Sequence, residues 1–363
     1  MKNKYRYFTI IFLVFFIILN VTPIAFAKTR RTYLTDFLFS NEIRGEGFKN
    51  GIEATNPLNE ATAYALEILD QYGLNAHEIT DLETKLETDL EQMFNNDDVE
   101  LYDSYFLLKS LALLDYTIEV ELEDRIYDYI NKTEQIGGGF SYSNTSALAS
   151  ISSTYFVVQI YDLILKPVPN ITTHKNWVLH CNNSDGGYGG NSSLSSTILS
   201  TYYAVSILHE LDVINELADE NQTLTYLDTF FVQYQSDTKN YGGYLPDITA
   251  NYALLSSTFY SVKAISIIDE TMLHDASTIR WVLNHQNFQD GGFADLTQGT
   301  DQLTSSVISS YYAFETLKIF NSLSKLASEV FMVEFNYFIL VIIMASIGLI
   351  AGIGVVVWRR RRI

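Results

Sequence analysis

The chain has 363 residues, one cysteine, and 43 acidic against 23 basic side chains, which gives a formal net charge of −20. This charge repels nucleic-acid phosphates and anionic lipid headgroups, so we expect no nucleic-acid partner, whereas a cationic protein partner remains compatible. The single cysteine, Cys181, cannot form an internal disulfide, and it excludes a zinc site built on two cysteines.

The first 27 residues have the layout of a secretory signal peptide. Lys2, Lys4 and Arg6 precede an apolar run of twelve residues, and Ala25 and Ala27 form a small-x-small cleavage site. The alternative is an uncleaved N-terminal anchor, for which the run is short. Export also agrees with the six Asn-x-Ser/Thr sequons of the following chain, at Asn131, Asn144, Asn170, Asn182, Asn191 and Asn221.

Residues 28–320 repeat one unit with a period near fifty residues, which is typical of a supersecondary repeat. Each unit has a charged amphipathic helix pattern, a glycine turn, a Ser/Thr-rich stretch and a more apolar helix pattern. Glycine favours the left-handed end of a helix, and Ser or Thr caps the start of the next. The aromatic residues that mark the second helices are Tyr64, Tyr105, Tyr155, Tyr202, Phe259 and Tyr311.

The two helices of each unit differ in polarity. The second helix is apolar on most faces, which is typical of a helix surrounded by others, whereas the first carries charge on one side. We therefore predict an all-α, six-hairpin α/α toroid over residues 28–320, with the charged helices outside. Its twelve helices include one near residues 31–41, and strands have no obvious place.

Two of the repeats resemble those of protein prenyltransferase β subunits and squalene/terpene cyclases. They read WVLNHQNFQDGGF from Trp281 and WVLHCNNSDGGY from Trp177. The resemblance covers nearly the whole repeated region, although the first unit, with GEGF from Gly45, is degenerate. It implies a six-hairpin α/α barrel and leaves the chemistry open, because several activities use this barrel.

The groups by which the related enzymes act have no clear counterpart. The loops after the glycines contain no Lys or Arg that could hold a diphosphate. Thr197, Ile198 and Leu199 stand where the related prenyltransferases carry their Asp-x-Cys zinc ligands. Asp97-Asp98 is the nearest match to the cyclases' acidic cluster and is better interpreted as a helix N-cap. We therefore expect no metal and no cofactor.

Aromatic side chains on the inner helices are the candidate binding site, because they could line an apolar central cavity. Neighbouring positions on a helix lie about 100° apart, so we expect one member of each adjacent pair to face the cavity. The lining candidates are Tyr155, Tyr202, Phe259, Tyr260, Tyr311 and Tyr312. The polar rim candidates are Asp247, Asn251, Asp295 and Asp301.

These residues favour a domain that binds an apolar ligand or a protein partner in or on the ring. Two alternatives remain open. One is a prenyltransferase- or cyclase-like enzyme with an altered, zinc-free site. The other is a purely structural surface protein, which a filled ring centre would favour.

The C-terminal end predicts a membrane anchor. A linker over 321–336 precedes residues 337–358, which contain no charge and are long enough to cross a bilayer as a helix. Tyr337 and Trp358 lie where interfacial aromatics belong, and the arginines of the tail, 359–363, favour the cytoplasmic side. We expect a single-pass protein of the cell membrane, with its body outside the cytoplasm and its tail inside.

Overall fold

The computed structural model of the protein describes residues 27–95, 99–295 and 304–331, and these contain twelve α-helices arranged as six hairpins. The outer helices are α1 (Arg30–Ser40), α3 (Ile79–Asn95), α5 (Val120–Lys132), α7 (Ile171–His180), α9 (Glu220–Asp228) and α11 (Asp275–Asn284). The inner helices are α2 (Asn59–Gln71), α4 (Leu101–Leu113), α6 (Ile151–Leu163), α8 (Ile198–Glu210), α10 (Leu255–Ile268) and α12 (Val307–Ile319).

The inner helices close into a ring. Each packs against the next along the chain, and α12 returns to pack against α2. The predicted all-α toroid of twelve helices is therefore confirmed, and the helix expected near residues 31–41 is α1. The described residues also form 3-10 helices at Ile214–Glu216, Glu270–Met272 and Leu323–Ala327.

Burial explains which helices lie inside. The outer helix α5 buries Leu122, Ile126, Tyr129 and Ile130, which form a single stripe at a helical spacing. The inner helix α6, in contrast, buries nine of its thirteen residues. An inner helix contacts its outer partner and both neighbouring inner helices, so apolar side chains are required on most of its surface.

The glycine turns pack closely against the neighbouring helices and loops. A Cβ added at Gly187 would lie 2.6 Å from Ser196 Cβ and from the ring of Tyr226, so only glycine fits this close approach. The aromatic residue that follows, Tyr188, is fully buried, and its N–H donates to Thr201 Oγ1 at 2.9 Å. Four other units use the same bond, from the N–H of Phe48, Phe140, Tyr244 and Phe293 to a Thr or Ser of the inner helix.

Short strands are a feature that the sequence analysis did not anticipate. Antiparallel pairs form within the turns, β2 (Glu42–Ile43) with β3 (Gly47–Phe48) and β4 (Phe140–Ser141) with β5 (Ala149–Ser150). Each of these strands has only two residues, so it leaves no alternating pattern in the sequence.

Among the described residues, 30–327 belong to one compact unit, and 27–29 and 328–331 belong to a second. In the second unit, β1 (Ala27–Thr29) pairs antiparallel with β6 (Glu329–Phe331). No helix in the described part of the chain is long and apolar enough to cross a membrane. The predicted span at 337–358, and all but the last residue of the predicted signal peptide, lie outside the described residues, as do Asp97 and Asp98.

Candidate functional site: an aromatic cavity at the ring centre

One stripe of each inner helix faces the centre of the ring. On α2 the stripe consists of Glu60, Tyr64 and Glu67, and on α4 it includes Tyr102, Tyr105 and Lys109. Residues spaced by three, four and seven positions share one face of a helix, so each stripe runs along the axis of the ring. The stripes enclose two adjoining cavities.

The first, which we call the aromatic cavity, has a volume of about 230 Å3 and receives side chains from all six inner helices. Of the fifteen described residues that line it, twelve are aromatic, and the others are Glu60, Lys109 and Leu199. All six lining candidates named from the sequence lie in its wall: Tyr155, Tyr202, Phe259, Tyr260, Tyr311 and Tyr312. The centre of the ring is therefore open at this level and not filled by packing.

The expectation that only one member of each adjacent aromatic pair faces the cavity is wrong. Both members line it in five inner helices: Tyr105 with Phe106, Tyr155 with Phe156, Tyr202 with Tyr203, Phe259 with Tyr260, and Tyr311 with Tyr312. The rings of neighbouring helices lean together, as Tyr155 and Tyr203 do with centroids 4.3 Å apart. Large rings that start 100° apart can both reach a centre as narrow as this one.

The tyrosine hydroxyls form pairs between neighbouring inner helices. Tyr260 and Tyr312 share a hydrogen bond of 2.7 Å, and Tyr155 and Tyr202 share a weaker one of 3.3 Å. Burial raises the pKa of Tyr202 to about 12. These phenols therefore stay protonated at neutral pH, and they present hydrogen-bond donors and acceptors but no negative charge.

Glu60 is the acidic group of the aromatic cavity. It lies in the first turn of α2, is almost completely buried, and accepts a hydrogen bond from the hydroxyl of Tyr102. Burial raises the pKa of the Glu60 carboxyl, although hydrogen bonds from Tyr102, Tyr64 and Tyr312 oppose the shift. Tyr102 is partly exposed, so this end of the cavity is its mouth.

Lys109 is the basic group at the opposite end. Its Nζ lies 2.7 Å from Glu67 Oε2, and it faces the rings of Tyr64, Tyr105 and Tyr311 at 5.4, 5.9 and 5.2 Å from their centroids. Burial opposes the charge of Lys109, but Tyr105 and Glu67 outweigh it and raise the pKa of the ammonium. The lysine is therefore a charged, partnered group enclosed by aromatic faces.

The second cavity, which we call the charged chamber, has a volume of about 490 Å3 and lies along the C-terminal halves of the inner helices. Its wall includes Glu67, Lys263, Glu315 and Lys318, and Lys318 Nζ lies 2.8 Å from Glu315 Oε1. Six side chains line both cavities and so separate them: Tyr105, Lys109, Tyr155, Tyr202, Phe259 and Tyr311.

Two of the rim candidates bond to the backbone of the ring. Exposed Asp247 accepts hydrogen bonds from the N–H and hydroxyl of Thr249 in its own turn. Asp295 accepts from the N–H of Leu255 at 2.6 Å, so it fixes the start of α10, and burial raises the pKa of its carboxyl. Asn251 is exposed, and Asp301 lies outside the described residues. None of the three described candidates lines either cavity.

Sequence reasoning missed the charged residues of the site, Glu60 and Lys109. The available signal was a single basic residue in the apolar pattern of α4 and an acidic residue seven positions before Glu67 on α2. Cys181 is buried, with its thiol donating to the carbonyl of Trp177 at 3.3 Å, and burial raises its pKa to about 12. Among the described residues, no group of three or more His, Cys, Asp or Glu could hold a metal ion.

The fold and the repeats define the class of protein. The model of the prenyltransferase alpha-alpha toroid domain matches residues 74–175, 168–239 and 238–336. The chain therefore belongs to this family, as the repeats predicted. No curated protein sequence matches the chain.

Solved structures of similar fold include enzymes of two kinds. Protein geranylgeranyltransferase-I of Candida albicans, complexed with GGPP, is 18% identical with a TM-score of 0.52, over 64% of this chain and 70% of that one. The apo type II terpene cyclase MstE from Scytonema is 11% identical with a TM-score of 0.55, over 81% and 98%. A protein from Actinoplanes is 12% identical with a TM-score of 0.54, over 82% and 99%. At these identities the likeness concerns the fold alone.

Proposed function

We propose that this protein is a binding protein whose aromatic cavity takes a compact apolar ligand. The observation that carries the proposal is the convergence of aromatic side chains from all six inner helices on one open volume. Aromatic faces contribute apolar contact area, and the tyrosine hydroxyls and Glu60 supply a few polar contacts that can orient a ligand. Among the described lining residues the only cation is Lys109, which is already paired with Glu67.

The size of the cavity limits the ligand. Its volume of about 230 Å3 is below the roughly 300–1,000 Å3 of ordinary ligand pockets. A ligand with a long isoprenoid chain would have to displace the aromatic rings that separate the cavity from the charged chamber. We therefore propose a ligand no longer than a short isoprenoid or a single substituted ring.

A series of alcohols of increasing length tests the size limit. Calorimetric titration of the full-length chain, in a maltoside detergent, is performed with geraniol, farnesol and geranylgeraniol. We expect one-to-one binding of geraniol and progressively weaker binding of the longer alcohols. Equal or tighter binding of geranylgeraniol would mean that the two cavities act as one and that the ligand is a long chain.

The place of the ring in the cell is part of the proposal. The apolar segment 337–358 and the arginines that follow it support a single-pass anchor with the ring outside the cytoplasm. The basic, apolar and small-residue order of the first 27 residues supports export. The net charge of −20 supports a cationic protein as a further partner on the outside of the ring.

The second candidate is a cyclase- or prenyltransferase-like enzyme with a zinc-free site, and Glu60 is the observation that favours it. A buried carboxyl with a raised pKa beside an aromatic cavity can hold a proton close to an apolar substrate. The test is product analysis by gas chromatography after incubation with geraniol and geranyl diphosphate. A product that forms with the wild type, and is lost in Glu60→Gln, would establish the enzyme.

A further inference from the structure

We propose that the aromatic cavity holds the quaternary ammonium group of its ligand, beside the Glu60 carboxyl and between the faces of the surrounding rings. This inference rests on the function proposed above and adds the charge of the ligand to it.

The wall near the mouth combines aromatic faces with one carboxyl group. The rings that line the aromatic cavity but not the charged chamber belong to Tyr64, Tyr102, Phe156, Tyr203, Tyr260 and Tyr312, together with Phe106. A cation within about 6 Å of an aromatic centroid is attracted by the ring, and cages of aromatic residues recognise quaternary ammonium groups in this way. Glu60 adds a carboxyl group whose ionised form attracts a cation.

The hydrogen-bonding groups favour a quaternary ammonium over a primary amine. A primary ammonium carries three N–H donors, each of which needs an acceptor once it is buried. Glu60 already accepts from Tyr102, and the hydroxyls of Tyr260 and Tyr312 are bonded to each other, so a buried primary ammonium would compete with these bonds for some of its acceptors. A trimethylammonium group has no donor to satisfy, and its methyl groups pack directly on the rings.

Lys109 is a cation that the same layer of rings already faces. Its ammonium faces Tyr64 at 5.4 Å and Tyr311 at 5.2 Å, and both tyrosines also line the aromatic cavity. Repulsion between Lys109 and a bound cation is small, because Glu67 neutralises the lysine at 2.7 Å. Glu60 and Glu67 are seven residues apart on α2, so the two cation positions are separated by about 10 Å along the helix.

The volume of the cavity and the net charge of the protein suit a ligand with a quaternary ammonium group. A trimethylammonium group on a short chain is compact enough for a volume of about 230 Å3. The protein has a net charge of −20, which raises the local concentration of small cations around it.

The test compares two probes of the same shape. Choline and 3,3-dimethyl-1-butanol (dimethylbutanol), in which a carbon atom replaces the ammonium nitrogen, are each titrated into the full-length protein. The detergent is a maltoside, which carries no choline headgroup. We expect saturable choline binding at least tenfold tighter than that of dimethylbutanol. Equal or tighter binding of dimethylbutanol would overturn the inference and leave the proposed apolar ligand standing. If neither probe nor geraniol binds, the inference and the proposed function both fail.

A second measurement tests the role of Glu60. Its surroundings are the hydroxyls of Tyr102, Tyr64 and Tyr312, the Asp103 carboxyl on α4, and Lys109 at the far end of the cavity. Only the ionised form of Glu60 attracts a cation, so choline affinity should weaken as the pH falls and Glu60 takes up its proton.

The variant Glu60→Gln should bind choline about tenfold more weakly than the wild type and lose most of this pH dependence, while its affinity for dimethylbutanol changes much less than its affinity for choline. Exposed Glu53 on the loop before α2 supplies the control, Glu53→Gln, which should behave as the wild type. Identical choline affinity and pH profile in Glu60→Gln and the wild type would overturn the inference.

Discussion

The ring of Tyr64 on α2 lies flat on the ring of Tyr311 on α12, with centroids 3.7 Å apart and planes inclined by 4°. This contact joins the first and last inner helices, so it closes the toroid at the level of the aromatic cavity. The same two helices also meet through Glu67 and Lys318, whose charged atoms are 3.7 Å apart. Closure of the ring and formation of the cavity wall therefore depend on the same side chains.

Replacement of Tyr311 by alanine should destabilise the ring. The substitution removes the stacked ring and most of the buried side chain, so we expect a loss of about 3 kcal/mol in the free energy of unfolding. This is the lower end of the usual range, because Tyr311 borders two cavities. Urea unfolding measures the loss, and Tyr234→Ala, at a highly exposed tyrosine, is the control. An unchanged midpoint for Tyr311→Ala would show that closure does not depend on this stack.

Removing one charge of the Lys109–Glu67 ion pair should destabilise the protein more than removing both charges. In Lys109→Met, the partly buried Glu67 carboxylate keeps Lys318 at 3.7 Å and a hydrogen bond from Tyr311, and we expect a loss of about 1–3 kcal/mol. The double variant Lys109→Met, Glu67→Gln removes both charges and should recover more than half of this loss. Losses that simply add in the double variant would mean that the two residues are not coupled.

The contribution of Glu60 to the free energy of unfolding should decrease as the pH rises. Because burial raises its pKa, the folded protein binds the Glu60 proton more tightly than the unfolded chain does. This contribution is fully present below the ordinary carboxyl value of 4.5 and is lost as the pH rises through the raised value. Each unit of elevation is worth about 1.4 kcal/mol.

We therefore expect Glu60→Gln to be more stable than the wild type at neutral pH, by an amount that shrinks on acidification. Urea unfolding of both proteins at neutral pH and near pH 4 measures this difference, with Glu53→Gln as the control. A difference that grows on acidification would contradict the sign of the shift.

The predicted membrane topology leads to an expectation for intact cells. External protease should release fragments of the ring, whereas a tag placed after the final residue, Ile363, should stay protected. N-terminal sequencing should find Lys28 as the first residue. A protected ring with an accessible tag would contradict the charge argument, and Met1 at the N-terminus would mean that the signal segment is retained.

Repetition made the fold predictable from the sequence. The glycine turns and the recurring aromatic residues mark each unit, and the polarity of the helices places them inside or outside. The same pattern located the wall of the cavity, since Tyr155, Tyr202 and Phe259 occupy equivalent positions in successive units. These signals are local, so they can be read from one segment of the chain at a time.

The charged parts of the site were not predictable in this way. Lys109 meets Glu67 across two helices that are 42 positions apart in sequence, and no local pattern encodes that pairing. The acidic residues of the loops were misleading for two reasons. The Asp247 carboxylate bonds to the backbone N–H of Thr249 in its own turn, as short acidic side chains readily do. Asp295 instead accepts from the N–H of Leu255, 40 positions earlier in the chain, and no local pattern encodes that contact.

The measurement that tests the central claim most directly is a comparison of geraniol binding by the wild type and by Leu199→Trp. Leu199 lines the aromatic cavity but is 39% exposed, so a larger side chain can enter the cavity without disturbing the core. We predict that saturating geraniol raises the unfolding free energy of the wild type by about 2–3 kcal/mol at a hundredfold excess over Kd. In Leu199→Trp the effect should vanish while the unliganded stability stays within about 1 kcal/mol of the wild type. No stabilisation of the wild type, or equal stabilisation of the two proteins, would contradict the claim that the aromatic cavity binds the ligand.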